Sequence, residues 1–143
     1  MSRAGYQYLL RVAPKIDRFV IPKTNGKFSS TGIDKVGLLT STGAKSGTPR
    51  VHPLAFIDCG DSLIAIGSNY GRPQHPDWSA NLLAHSDCDI EFKGPKRRYR
   101  AELIVGDART AAWETVVDYY AGYEQYRQKC APREIRLLKF YAT

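Results

Sequence analysis

The chain of 143 residues is short of the side chains that build the commoner catalytic and metal centres. It has three cysteines, Cys59, Cys88 and Cys130, odd in number and with no C-x-x-C pair. That argues against a disulfide framework and a zinc site, and for reduced thiols. The three histidines, His52, His75 and His85, never stand three or four residues apart, and no carboxylate cluster accompanies them. A metal site is therefore not expected. No G-x-S-x-G elbow is present, so Ser/His/Asp catalysis has no framework. No G-x-G-x-x-G is present either, which leaves a Rossmann nicotinamide site unsupported. No apolar run reaches the roughly 18–20 residues that cross a bilayer. The first apolar stretch is broken by Arg11, Lys15 and Asp17 and lacks a small-residue cleavage site, so no secretory signal is read. The expected compartment is the cytoplasm.

What is present fits one globular domain, with 43% hydrophobic and 24% charged residues. The net charge of +7 calls for an anionic partner or a generally basic surface. Nucleic acid, a membrane surface and a polyanionic cofactor are the choices. Lys96-Arg97-Arg98-Tyr99-Arg100 is the one run that interleaves aromatic and basic residues, and it reads as a solvated hairpin end. No nucleic-acid partner is expected.

Tyr6 to Val20 reads as an amphipathic helix, kinked at Pro14, with basic residues Arg11, Lys15 and Arg18. Such a helix either packs on its own domain or a partner subunit, or lies on an anionic membrane as a peripheral anchor. Packing is the commoner use. Pro22 to Asp34 is a Gly/Ser/Thr/Asn-rich linker, or a lid over a ligand site. Residues 1–34 are thus set apart from a domain over 35–143.

Strands are predicted over Val36–Thr42, from Arg50 to Asp58, Ser62–Ser68, Asp89–Lys93, Tyr99–Val105 and Ile135–Phe140. A short helix is predicted over Asp77–His85, with Pro76 at its start. A longer one follows Asp107 as N-cap, with Trp113, Val116, Val117 and Tyr120 on one face. Gly122 interrupts it, and a second short helix carries Tyr123 and Tyr126. Hairpins with helices at the ends, without alternating βαβ units, indicate an α+β fold: an antiparallel sheet curled into a small barrel.

The centre of the chain is Leu38 to Pro53, LLTSTGAKSGTPRVHP. Gly43 and Gly47 bracket a polar turn carrying Lys45 and Ser46, and Arg50 opens the next strand. Glycines let backbone N–H groups approach closely, and Lys and Arg supply counter-charge, so the turn suits an anion. It lacks the Gly spacing and following helix of a Walker loop. An ordinary basic hairpin has the same composition. Ser68-Asn69-Tyr70-Gly71 ends a strand with turn formers and would suit the polar edge of a flat heterocycle. Tyr120, Tyr123 and Tyr126 recur at three-residue spacing and either line an aromatic pocket or pack the core.

Thr42-Gly43-Ala44-Lys45-Ser46-Gly47-Thr48-Pro49-Arg50 resembles the TG-x-KSG-x-PR signature of the deazaflavin-dependent nitroreductase family. Ser68 to Gly71, with His75-Pro76-x-Trp78-x-x-Asn81-Leu82, resembles its SN-x-G…HP-x-W-x-x-NL segment. Tyr120-x-x-Tyr123-x-x-Tyr126 resembles its C-terminal Y-x-x-Y-x-x-Y. The family consists of small actinobacterial split β-barrel proteins that use coenzyme F420.

The resemblance implies an antiparallel split β-barrel with short flanking helices. It implies hydride transfer from the reduced deazaflavin to an electron-poor acceptor: a quinone, an unsaturated lactone or a nitroaromatic. Cofactor contacts are implied for Lys45, Ser46, Gly47, Arg50, Val51, His52 and Pro53, for Ser68, Asn69, Tyr70 and Gly71, and for Trp78, Asn81 and Leu82. Catalytic or acceptor-positioning roles are implied for Tyr120, Tyr123 and Tyr126. Alternatives are an FMN-dependent barrel of related fold, or a non-catalytic carrier of deazaflavin, haem or lipid. A homodimer would bury an apolar face. Ala44 departs from the usual basic residue, Asn69 from the lysine of some members, Ala55 from the tyrosine of some nitro-reducing members, and Arg136 from an apolar strand position.

Overall fold

The computed structural model describes residues 36–143. The helix expected over Tyr6–Val20 and the linker after it lie outside the described residues. Six strands close into an antiparallel barrel in the order β1-β2-β3-β6-β5-β4. They are β1 (Val36–Thr42), β2 (Pro49–Asp58), β3 (Leu63–Gly67), β4 (Asp87–Glu91), β5 (Arg97–Leu103) and β6 (Arg136–Ala142). A 3-10 turn spans Asn69–Gly71, and the helices are α1 (Asp77–Ala84), α2 (Gly106–Tyr119) and α3 (Gly122–Cys130).

The period of two in each strand divides the apolar residues between two cores. Leu39, Phe56, Leu63, Ala65, Cys88, Ile90, Ala101, Leu138 and Phe140 point into the barrel. Phe56 meets Phe140 edge-on at 5.8 Å between ring centroids and Phe92 at 5.5 Å, so the aromatics interlock across the interior. Trp78 and Leu82 on α1 complete this core. The alternate residues Ile57, Ile64, Ile66 and Leu137 point outward and pack under α2 and α3 through Val116, Tyr123 and Cys130. Each fully buried side chain of this size contributes about 1.5–3 kcal/mol.

β4 and β5 both begin two residues before the predicted positions. The turn is Gly94-Pro95, and Arg97 and Arg98 join the strand. The register explains the shift: Asp87 lies opposite Arg100 and Asp89 opposite Arg98. The corresponding ion pairs are 3.6 and 3.5 Å long, so cross-strand charge matching outweighs the turn character of the basic run. Asp107 is not the N-cap. The helix starts at Gly106 behind Val105, with no side-chain cap bond. Gly106 has φ of 64°, which lets the chain turn one residue early and leaves Asp107 in the first turn, where its charge faces the helix dipole. β6 runs past Phe140 to Ala142 because Tyr99 and Arg100 of β5 give its end a partner. The thiols of Cys88 and Cys130 are buried, and burial pushes that of Cys88 up to about 12.

Candidate active site

The antiparallel order puts the C-terminal ends of β1, β3 and β5 at one mouth of the barrel, together with the N-terminal ends of β2, β4 and β6. All three sequence blocks therefore meet at that mouth. The 43–48 turn joins β1 to β2 there, Ser68–Gly71 follows β3, and α3 precedes β6. Blocks far apart in sequence share one rim because the barrel closes.

The first turn is a tight loop: Gly43 N–H donates to Thr48 O at 2.8 Å and Gly47 N–H to Gly43 O at 2.9 Å. Gly47 has φ of 69°, the left-handed region that glycine enters freely. Ser46 Oγ lies 2.8 Å from Thr48 Oγ1. A Cβ on Gly43 would collide with Ser46 Oγ and come 3.6 Å from Arg50 Nε, so these two groups converge over the bare glycine backbone. Lys45, Ser46, Gly47 and Arg50 are all exposed. Arg50 stands opposite Ser41, and His52 opposite Leu39. Both therefore share the inward-facing side of β2 with Leu54 and Phe56, and His52 Nδ1 is shielded from solvent. Val51 takes the other face, beside Val36 and Leu38. Pro53 shares that face, opposite Leu38.

Asn81 ties this turn to α1. Its Oδ1 accepts from Ala44 N–H at 2.9 Å, and its Nδ2 donates to Ser41 Oγ at 3.4 Å. Asn81 is buried, so the tether is shielded from water. Trp78 and Leu82, on the same helix, are 5% and 2% exposed and sit in the barrel core.

The second turn has an unusual backbone. Asn69, Tyr70 and Gly71 take φ of 47°, 54° and 76° in succession. Non-glycine residues pay about 1–2 kcal/mol each for that region. Arg133 surrounds the turn from 61 to 66 residues away. Its guanidinium donates to Gly67 O at 3.0 Å, Ser68 O at 2.9 Å and Arg72 O at 2.9 Å. A further N–H faces His75 Nδ1 at 3.3 Å. Arginine only donates, so Nδ1 accepts. Burial, followed by the charges of Arg136 and Arg133, lowers the pKa of His75. Arg136, at the start of β6, donates to Ser79 Oγ at 3.2 Å, and Ser79 Oγ donates to Pro76 O at 2.8 Å.

The tyrosines form a continuous edge-to-face series. Tyr70 meets Tyr126 at 6.1 Å, Tyr126 meets Tyr123 at 6.0 Å, and Tyr123 meets Tyr120 at 5.3 Å. The series links the Ser68–Gly71 turn to α3. Tyr120 is not on the helix of the other two: it is the C-cap residue of α2, and its ring folds over Gly122. Tyr120 is 45% exposed and Tyr123 is 7% exposed. Burial, reinforced by Tyr119, Tyr126, Tyr70 and Tyr120, raises the pKa of Tyr123, so its hydroxyl keeps its proton at neutral pH. Arg133 escaped the sequence reading. Its only signal was a basic residue shortly after a predicted helix, which is commonplace.

The chain is thus a small antiparallel six-stranded barrel that presents a basic, glycine-bearing turn and a series of tyrosines at one mouth. Residues 15–138 match the family described as F420H(2)-dependent quinone reductase, and the chain belongs to it. A Mycobacterium tuberculosis protein named as a candidate F420H(2)-dependent quinone reductase, Rv3178, is 32% identical over 87 residues, covering 61% of this chain and 73% of the relative. Other mycobacterial relatives with that family name match over only half their own length. The solved F420-H2 dependent reductase FDR-A is similar at 28% identity and a TM-score of 0.65, covering 73% of this chain and 92% of that one. A solved domain-swapped dimer is similar at 26% identity and a TM-score of 0.66, covering 88% and 97%. The protein is an oxidoreductase of the F420 class, and coenzyme F420 is its cofactor.

The residues at the mouth fit that group. The coenzyme carries a phosphodiester and an acidic tail. Here Arg50 and the Ser46 hydroxyl converge over the Gly43 backbone that a Cβ would obstruct, and the exposed Lys45 of the same turn adds a second cationic donor.

Proposed function

We propose that the protein reduces a quinone at the expense of F420H2, with unsaturated lactones and nitroaromatics as further electron-poor acceptors. The observation that supports this best is the meeting, at one barrel mouth, of the exposed Lys45–Ser46–Arg50 turn with the Tyr70–Tyr126–Tyr123–Tyr120 series. The reduced deazaflavin, when bound, supplies the hydride, which side chains cannot carry.

The rest falls to the protein. Lys45, Ser46 and Arg50 hold the phosphate, with the Gly47 backbone free to close around it. Val51, His52 and Pro53 form the strand leading into the mouth. Ser68, Asn69, Tyr70 and Gly71 meet the polar edge of the ring. Trp78 and Leu82 anchor the helix behind, and Asn81 sets the height of the phosphate turn. The exposed Tyr120 orients the acceptor and offers a proton from its Oη to a reduced oxygen. Tyr126 and the buried Tyr123 shape the wall and exclude water. We assign the binding domain to residues 35–143; the helix and linker expected over residues 1–34 lie outside the described residues. The similar domain-swapped dimer favours a homodimer. Among the described residues no helix is long and apolar enough to cross a membrane. We place the protein in the cytoplasm, with membrane contact through the N-terminal helix not favoured.

Titration with F420 and with FMN, followed by ligand fluorescence, tests the reading. The deazaflavin should bind tightly and FMN weakly; a preference for FMN would reverse the assignment. Lys45→Ala and Arg50→Ala should each weaken F420 binding by about 1–3 kcal/mol. Unchanged affinity in both would remove this turn from the site.

A further inference from the structure

The Ser68–Gly71 turn holds a conformation that its own residues disfavour, since Asn69 and Tyr70 both have positive φ. Its internal bonds are few: Gly71 N–H to Ser68 O at 2.9 Å, Arg72 N–H to Asn69 O at 3.1 Å, and Asn69 Nδ2 to Gln74 O at 3.0 Å. The segment between α3 and β6 supplies four more contacts. Arg133 donates to the carbonyls of Gly67, Ser68 and Arg72 and to His75 Nδ1, so one planar fork spans the turn from its entry to its exit. Arg133 is itself fixed. Its N–H donates to Cys130 O at 3.0 Å. Its neighbours are held by Arg109, which pairs with Glu134 at 2.8 Å and donates to Ile135 O at 2.7 Å. The guanidinium is spent on carbonyls, which is the arrangement of a brace and not of an open anion site.

We propose that Arg133 is a positioning residue for coenzyme binding, holding the Ser68–Gly71 turn in its left-handed shape through the Gly67, Ser68 and Arg72 carbonyls and acting through the turn instead of by contact. This rests on the reading that the turn meets the coenzyme ring. A turn already in its bound shape spends no coenzyme binding energy on ordering.

Two measurements on Arg133→Gln and Arg133→Lys separate the brace from that reading. The first is amide hydrogen exchange in the protein without coenzyme. In Arg133→Gln, exchange across 67–75 should rise about ten- to hundredfold, with the barrel strands unchanged. Arg133→Lys, whose single ammonium reaches fewer carbonyls, should lie between, and it provides the reading if the glutamine variant folds poorly. The second is F420H2 affinity with steady-state kinetics. KM for F420H2 should rise about tenfold in Arg133→Gln while kcat holds. Unchanged exchange in both variants overturns the brace, whatever happens to affinity. Faster exchange with unchanged affinity shows that the turn does not meet the coenzyme and overturns the positioning role along with the site reading. A fall in kcat at constant KM also overturns it.

Discussion

The two turns at the barrel mouth are built on opposite principles. The 43–48 turn puts its positive φ on glycine, at Gly47, and exposes Lys45, with Arg50 exposed just beyond it. Asn81, buried on α1, is its tie to the rest of the mouth. The 68–71 turn puts positive φ on Asn69 and Tyr70 as well as on Gly71, and it is enclosed by Arg133 and α3. The first is locally cheap and electrostatically active. The second is locally expensive and kept in shape from a distance. An anion needs charge that can close on it, whereas the edge of a rigid ring needs donors already in place.

The sharpest way to break this contrast is to add one methyl group to each turn. At Gly71 a Cβ would lie 3.0 Å from Lys129 Cδ and 3.2 Å from Tyr126 Cα, the latter backbone that cannot swing away. With φ of 76° added, Gly71→Ala should destabilise by about 2–4 kcal/mol. At Gly47 the same Cβ meets nothing within 4 Å. Gly47→Ala should therefore incur only the left-handed strain, partly offset by a stiffer unfolded chain, for a net loss of about 1 kcal/mol. Urea denaturation of both variants checks the difference. Equal losses would mean that α3 does not press on the second turn.

Asn81→Ala sharpens the comparison from the other side. It deletes the acceptor of Ala44 N–H and the donor to Ser41 Oγ while leaving Lys45 and Arg50 in place. The expected loss of stability is about 1–2 kcal/mol. F420 affinity should fall as the turn drifts, but less than in Lys45→Ala. If affinity falls further than that, Asn81 touches the coenzyme directly.

The sequence was readable wherever the information is local. Val36–Thr42 is a strand at its predicted bounds, α1 differs from prediction by one residue, and the expected break between two helices falls at Tyr120 and Ala121, just before Gly122, which opens α3. The three motif blocks, which the family resemblance assigns to one coenzyme and acceptor site, share one mouth. What escaped is everything that barrel closure creates. The Asn81–Ala44 bond spans 37 residues, and the Arg133–Ser68 bond spans 65. No periodicity encodes either, because the partners are chosen by register and tilt. The shift of β4 and β5 has the same origin: Asp87 and Asp89 show their preference for strand only once Arg100 and Arg98 stand opposite. Tyr120 stands before the helix break, as expected, but as the C-cap residue and not on the helical face with Val116.

The smallest expected effect is the dependence of the second turn on pH. His75 is held neutral by burial and by the adjacent charges of Arg136 and Arg133, so its folded pKa lies below the ordinary 6.5. The unfolded chain then binds the proton more readily, and folding opposes it. The contribution to stability is complete above pH 6.5 and is lost as the pH falls from 6.5 towards the depressed folded value. Protonation would also place a donor on Nδ1 where Arg133 already donates. Wild-type protein should therefore lose more stability between pH 7.5 and 5 than His75→Gln, which has no proton to gain. Melting temperatures of the two across that range check this. The first turn holds no histidine, so the phosphate contacts proposed for it should follow salt concentration more than this proton. Parallel pH curves for the two proteins would place the acid sensitivity outside the Arg133–His75 contact.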